Sequence, residues 1–366
     1  MKKIIDIIND EIRDTQKGIE CLPCERVNLD HERYSEYKDA DEHKATDIFE
    51  YPNPGKDTLQ TAFIPHDIPS ILKYFLDGSR KTYKIADLKV KGRYLPLVAG
   101  QVAVGVMVRD DNNSINPNRR FCHYENVIAF PDEISNDDDR KHLANSISSK
   151  SSTPFQVIIY SVKEDRDPID LGVAKIMAHM AGMELNAVHE LSNNSLLQSN
   201  SLLVKDGPLR YKNLKGHNFD ITQFRNVIGV SKRFRPSFTL GSGRKKVDVG
   251  VLTSSLEMGE RTPVFKTEEE DKFIGMWYLR IRPKNQMINQ LQGIIKVECY
   301  AIDKIEEEQG LNSDRVNTIS EYLLRERNVT PYGQDYRWAT HLYPIFLAES
   351  YIKSCMFSNL RFEGLF

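Results

Sequence analysis

The 366-residue sequence has no run of about 18 apolar residues, so nothing in it reads as a membrane-spanning helix. After Met1-Lys2-Lys3, acidic residues at Asp6, Asp10 and Glu11 break up the apolar core that a secretion signal would need. Cysteine is scarce and odd in number, five in all, which argues against a disulfide framework and fits a reducing cytoplasm. Cys21-Leu22-Pro23-Cys24 is half of a zinc motif with no second half, and His31 is the only nitrogen ligand near it. No Gly-x-x-x-x-Gly-Lys-Ser/Thr loop appears, so the chain is not expected to hydrolyse a nucleotide. Net charge is also missing: 50 Lys and Arg against 52 Asp and Glu leave −2, and any surface for a polyanion must be local.

What is present is an ordinary globular composition, 40% hydrophobic and 28% charged, in a chain long enough for one elaborated domain or two. Ile4, Ile5, Ile8 and Ile12 fall at helical spacing and predict an amphipathic helix over 2–18. A polar stretch with Pro52-Asn53-Pro54-Gly55 follows, so residues 1–68 read as a helix and an irregular lead-in to a main domain at 69–366. Short apolar runs at 71–76, 94–98, 102–108, 127–130 and 155–160 predict an antiparallel meander. Residues 134–153, rich in Asp, Ser and Asn, read as a solvated excursion. From Asp167-Pro168 a helix is expected, because Val173, Ile176, Met177, Met180, Ala187, Val188 and Leu191 recur at spacings of three and four. Strands at 201–205, 276–281 and 294–300 and helices near 312–327 and 343–356 complete a mixed α/β layer architecture.

The two Asp-Gly dipeptides, Asp77-Gly78 and Asp206-Gly207, each follow an apolar strand, a setting in which a rigid element can present a hard oxygen ligand as the backbone turns away. Asp-Gly is also a favoured turn pair. Glu184 lies on the apolar stripe of the long helix, where a carboxylate is costly unless it is paired or metal-bound; Glu190 is the competing choice. Residues 201–250 hold eleven Lys or Arg against three Asp, a local excess of eight. Lys232, Arg233, Arg235 and the Arg244-Lys245-Lys246 run are the candidate phosphate contacts.

Three carboxylates from two strands and one helix resemble the acidic cluster of RNase H-like nucleases. More narrowly, Phe75-Leu76-Asp77-Gly78-Ser79 and Leu203-Val204-Lys205-Asp206-Gly207 are similar to the two Asp-Gly motifs of the NurA nuclease family. Ile228-Gly229-Val230-Ser231-Lys232 is similar to its apolar-Gly-x-x-Lys element, and Tyr343-Pro344 with Leu347 to its Tyr-Pro-x-x-Leu motif. Ser350-Tyr351 stands where that family commonly has Ala-His; His341 is the substitute considered. Pro208 also replaces the usual Ser.

The resemblance implies an RNase H-like mixed central sheet with flanking helices and helical additions at both ends. It implies a DNA nuclease in which Asp77, Glu184 and Asp206 bridge two Mn²⁺ or Mg²⁺ ions and Lys232 neutralises the phosphate. It further implies a homodimer working with a HerA-type hexameric ATPase translocase, in DNA end processing or in defence against foreign DNA. The alternative is a non-catalytic nucleic-acid-binding or scaffold subunit of such a complex. As docking material the sequence offers the Ile4, Ile5, Ile8, Ile12 stripe and the apolar run from Tyr343 to Met356, either of which could equally serve the chain's own core.

Overall fold

The computed structural model describes residues 3–15, 19–30, 45, 47–133, 137–151, 153–209, 220–240, 246–269, 272–328 and 336–366. Its centre is a mixed sheet, thirteen-stranded among the described residues. The principal strands are β1 (Ile19–Asn28), β2 (Leu72–Val90), β3 (Arg93–Arg109), β4 (His123–Pro131), β5 (Gln156–Tyr160), β6 (Leu202–Asp206), β7 (Val227–Ser231), β8 (Lys272–Arg280) and β9 (Ile294–Tyr300). Across the sheet the order is β5-β4-β3-β2-β6-β7-β9-β8. The strands β2, β3 and β4 form an antiparallel meander, β6 lies parallel to β2 and β7 parallel to β6, and β9 and β8 return antiparallel. The β2–β3 hairpin turns through Lys91 and Gly92, both at positive φ (48° and 82°), which suits a two-residue turn between right-twisted strands.

Five longer helices flank the sheet: α1 (Ile4–Thr15), α2 (Asp137–Lys150), α3 (Pro168–Asn193), α4 (Ser313–Arg325) and α5 (Tyr343–Cys355). The start of α3 follows local chemistry: Asp167 Oδ1 accepts the Ile169 amide at 2.9 Å, and Pro168 sits where no helical donor is needed. Its stripe packs on one face of the sheet, Ile176 and Val188 sharing a core with Leu76, Val98 and Val102. The other face carries α4 and α5, with Val316, Ile319, Ile345 and Ala348 over Phe75, Val204 and Trp277. Close approach on each side is set by a glycine. Gly100 meets Ile176, and Gly105 meets Ile352 of α5.

Several expectations need correction: the run 155–160 pairs parallel with β4 and so stands outside the antiparallel meander, and 94–98 and 102–108 are one strand, β3. Asp77 does not end a strand: β2 continues for thirteen residues beyond it, because the polar Ser79-Arg80-Lys81-Thr82 stretch pairs along β3, and from Tyr83 onward β1 pairs on the other side. The lead-in is not wholly irregular, since β1 joins the same sheet as β2. The 134–153 segment contains α2, whose Leu143 and Ile147 are buried beneath α1 and β5. The Ile4, Ile5, Ile8 and Ile12 stripe is buried in the chain's own core, as are Ile345 and Ile352.

Candidate functional site

Strand alternation sorts the candidate residues by face. Phe75 and Asp77 of β2 and Val204 and Asp206 of β6 share parity, and Phe75 and Val204 sit in the α4/α5 core. Asp77 and Asp206 therefore belong to the α5 side. Leu76 and Leu203 pack with α3, which puts Lys205 on the α3 side.

Asp77 is 6% exposed, and its Oδ1 accepts the Gly78 amide at 2.8 Å. Burial, and after it the Asp206 charge, pushes this carboxyl well above the ordinary range; Glu349 and Glu184 add to the rise and Lys232 opposes it. Asp206 Oδ2 accepts from Lys232 Nζ at 2.8 Å. Burial alone would lower the Lys232 pKa, but Asp206, Asp77 and Glu349 overturn that and leave it raised. Beyond Asp206 the chain turns at Gly207, whose φ of 91° and amide bond to Val230 O (2.7 Å) lead it back across the end of β7.

Glu184 is the carboxylate of α3 that reaches this region. It is 6% exposed, and a Cβ built on Gly78 would lie 2.5 Å from its Oε1. Gly78 thus makes room for Glu184 and does not serve to turn the backbone. Glu190 is only half-buried, in the last turn, where its carbonyl caps the helix by accepting from Asn194 N. Glu184 Oε2 pairs with Lys205 Nζ at 3.0 Å, and Lys205 also donates to Asp206 O at 2.7 Å. Burial raises the Glu184 pKa, and Lys205 partly resists the rise.

His341 is 1% exposed and seated against Phe346, ring centroids 6.3 Å apart, with its carbonyl accepting from Asn328 N. The α5 charge that bears on Asp77 is Glu349, immediately before Ser350-Tyr351. Lys205 and Glu349 are the two charged members that sequence reasoning missed. Their signal was adjacency: one precedes Asp206, and the other follows Tyr-Pro-x-x-Leu by two residues. Arg233, Arg235 and Lys246 are exposed, whereas Arg244 and Lys245 lie outside the described residues.

The donor set is carboxylate oxygen, which suits hard divalent cations. Among the described residues no three His, Cys, Asp or Glu side chains converge as a metal-ready group; two lysine ammoniums stand among the acids instead. Asp77 and Asp206, side by side on the α5 face, fit such an ion in donor chemistry and charge, whereas Glu184 faces the α3 side and is paired with Lys205. No protein-family model matches the chain, and no curated protein matches it either. No helix among the described residues is long and apolar enough to cross a membrane.

Proposed function

We propose that this protein is a cytoplasmic, divalent-metal-dependent DNA nuclease with an RNase H-like sheet, similar to the NurA family. The observation that carries the reading is the meeting of Asp77, Asp206 and Lys232 on one sheet face, with Glu184 abutting Gly78 from the helix between β5 and β6. The order β4-β3-β2-β6-β7, antiparallel within the meander and parallel from β2 to β7, supports the RNase H-like assignment. Asp77 and Asp206 would hold Mn²⁺ or Mg²⁺, which when bound would lower the pKa of a water and offset charge on the phosphodiester; Glu184, paired with Lys205 on the α3 side, would join them only by leaving that lysine and reaching past Gly78. Lys232 keeps a positive charge beside the cluster, where it can meet the phosphate. The exposed Arg233 and Arg235 extend that charge outward as backbone contacts.

Single-stranded DNA incubated with the purified protein and Mn²⁺ should be cut, and chelation should stop the reaction. Asp77→Asn should lower the rate at least about a hundredfold while circular dichroism stays unchanged, as expected for a lost charge-stabilising group. Retained cleavage in that variant would remove Asp77 from the site.

A second reading, a nucleic-acid-binding subunit without catalysis, is favoured by the way Lys205 and Lys232 already neutralise Glu184 and Asp206. Binding without cutting at saturating Mn²⁺ would select it. The family likeness also motivates a homodimer and a HerA-type hexameric ATPase partner, to be tested by light scattering and by co-purification.

A further inference from the structure

An open pocket of about 1110 Å³ lies on the same sheet face as Asp77 and has no role in the cluster described above. Lys73 opens β2 on this face and Arg109 closes β3, with the Arg109 guanidinium 5.6 Å from the Phe75 ring centroid. Phe75 is the last residue before Asp77 to point to that side. Phe75 itself is fully buried, and the β2 residue that lines the pocket, Lys73, is four strand residues or ~13 Å from Asp77, about the length of two extended nucleotides. Along the opposite wall, Phe346 precedes Glu349 by one helical turn of α5.

The chemistry of the walls is selective. The four Lys or Arg side chains are matched by four Asp or Glu, so the pocket carries little net charge for a polyphosphate. The Arg109 cation is already used by Glu326 at 2.6 Å in a buried pair. An aromatic face remains: Tyr343 is 47% exposed at the pocket rim although it belongs to a helix packed on the sheet. Ser70 and Asn113 stand nearby, the Ser70 hydroxyl donating to Glu326 at 3.3 Å and the Asn113 amide oxygen accepting from Arg109. A charge-balanced site with an exposed aromatic ring at its rim suits a nucleobase and its sugar better than a phosphate chain.

We infer that this pocket seats the unpaired terminal nucleoside of a nucleic-acid strand, stacked on Tyr343, with the strand running on toward Asp77. The inference rests on the nuclease reading for the direction of the strand, but the nucleoside site is testable without catalysis. Tyr343 is held in the fold by its backbone, the amide donating to Glu326 O at 2.7 Å, so its ring can be removed without loss of that tie.

Titration calorimetry in EDTA, with deoxyadenosine 5′-monophosphate as probe and inorganic phosphate as competitor, tests it. The nucleotide should bind saturably, and excess phosphate should not displace it. Tyr343→Ala should weaken binding roughly five- to a hundredfold, the range set by one lost base–aromatic stack, while Tyr343→Phe should stay within about twofold. Absence of binding, displacement by phosphate, or equal affinity in Tyr343→Ala would each overturn the inference. Asp77-dependent cleavage without nucleotide binding would remove this pocket and leave the nuclease. Tyr343-dependent binding without any cleavage would do the reverse.

Discussion

Lys205 is a cation at a position where β6 is otherwise apolar, Leu202 to Val204, and its side chain and that of Glu184 are 6% and 8% exposed. Such a pair adds little over a well-packed apolar substitute, but losing one partner strands a charge. Lys205→Met should therefore cost ~3–5 kcal/mol, and Glu184→Gln in the same chain should recover a large part of it. Urea unfolding of the two single variants and the double variant measures the coupling. Strict additivity would mean that the two side chains do not share an energy term. The two members differed in how readable they were. Glu184 stood out because a charge on an apolar helical stripe needs a reason, whereas Lys205 was indistinguishable in composition from the basic run that follows it. Only the alternation of β6 turns it from the Asp206 side to that of Glu184.

At the scale of elements, α5 links the pocket, through Tyr343 and Phe346, to the acidic cluster, through Glu349. Its height above the sheet is fixed where Ile352 rests on Gly105, the residue opposite Asp77 in β3. A methyl group at Gly105 has no room while Ile352 keeps its Cγ2. Gly105→Ala should lower stability by ~1–3 kcal/mol through overpacking, and adding Ile352→Ala should relieve that clash while introducing a cavity cost of its own. Thermal unfolding of the pair separates the two costs: a fully tolerated Gly105→Ala would show that α5 is not seated by this contact. The elements that sequence reading found are those with a long one-sided apolar pattern. Helix α3 had seven apolar residues at helical spacing and a cap. By contrast β1 buries fully only Cys21 among its ten residues, and α2 has only Leu143 and Ile147 as apolar buried anchors, so neither produced a period to detect. Asp77-Gly78 looked like a strand end because the continuation of β2 is polar. The hairpin ladder to β3 supplies what the side chains do not.

Across the whole molecule, the mixed α/β layering was legible because apolar strand runs alternate with a long helix, while the join between the chain's two ends was not. No periodicity links residue 4 to residue 365, yet the Ile4 amide donates to Leu365 O at 3.0 Å. Phe362 sits beneath this seam, 5.3 Å from Tyr83, 6.0 Å from Phe155 and 5.3 Å from Phe366 between ring centroids. The same core holds Ile5 and Ile8 of α1 and Leu88 of the outer half of β2. One short helix at the C-terminal end, Asn359–Glu363, thus helps to hold α1 against the far end of the β2–β3 hairpin. Removing the Phe362 ring should open a cavity costing ~3–5 kcal/mol. Because the cavity lies at the seam, the Ile4 amide should lose hydrogen-exchange protection in Phe362→Ala before amides of β6 and β7 do, since local opening follows the weakest packed unit. Asp77 lies on the other half of β2, away from that core, so the variant's far-UV spectrum and any Mn²⁺-dependent cleavage should persist at temperatures below its lowered midpoint. Uniform loss of protection throughout the sheet would instead mean that the terminal seam and the candidate site unfold as one cooperative unit.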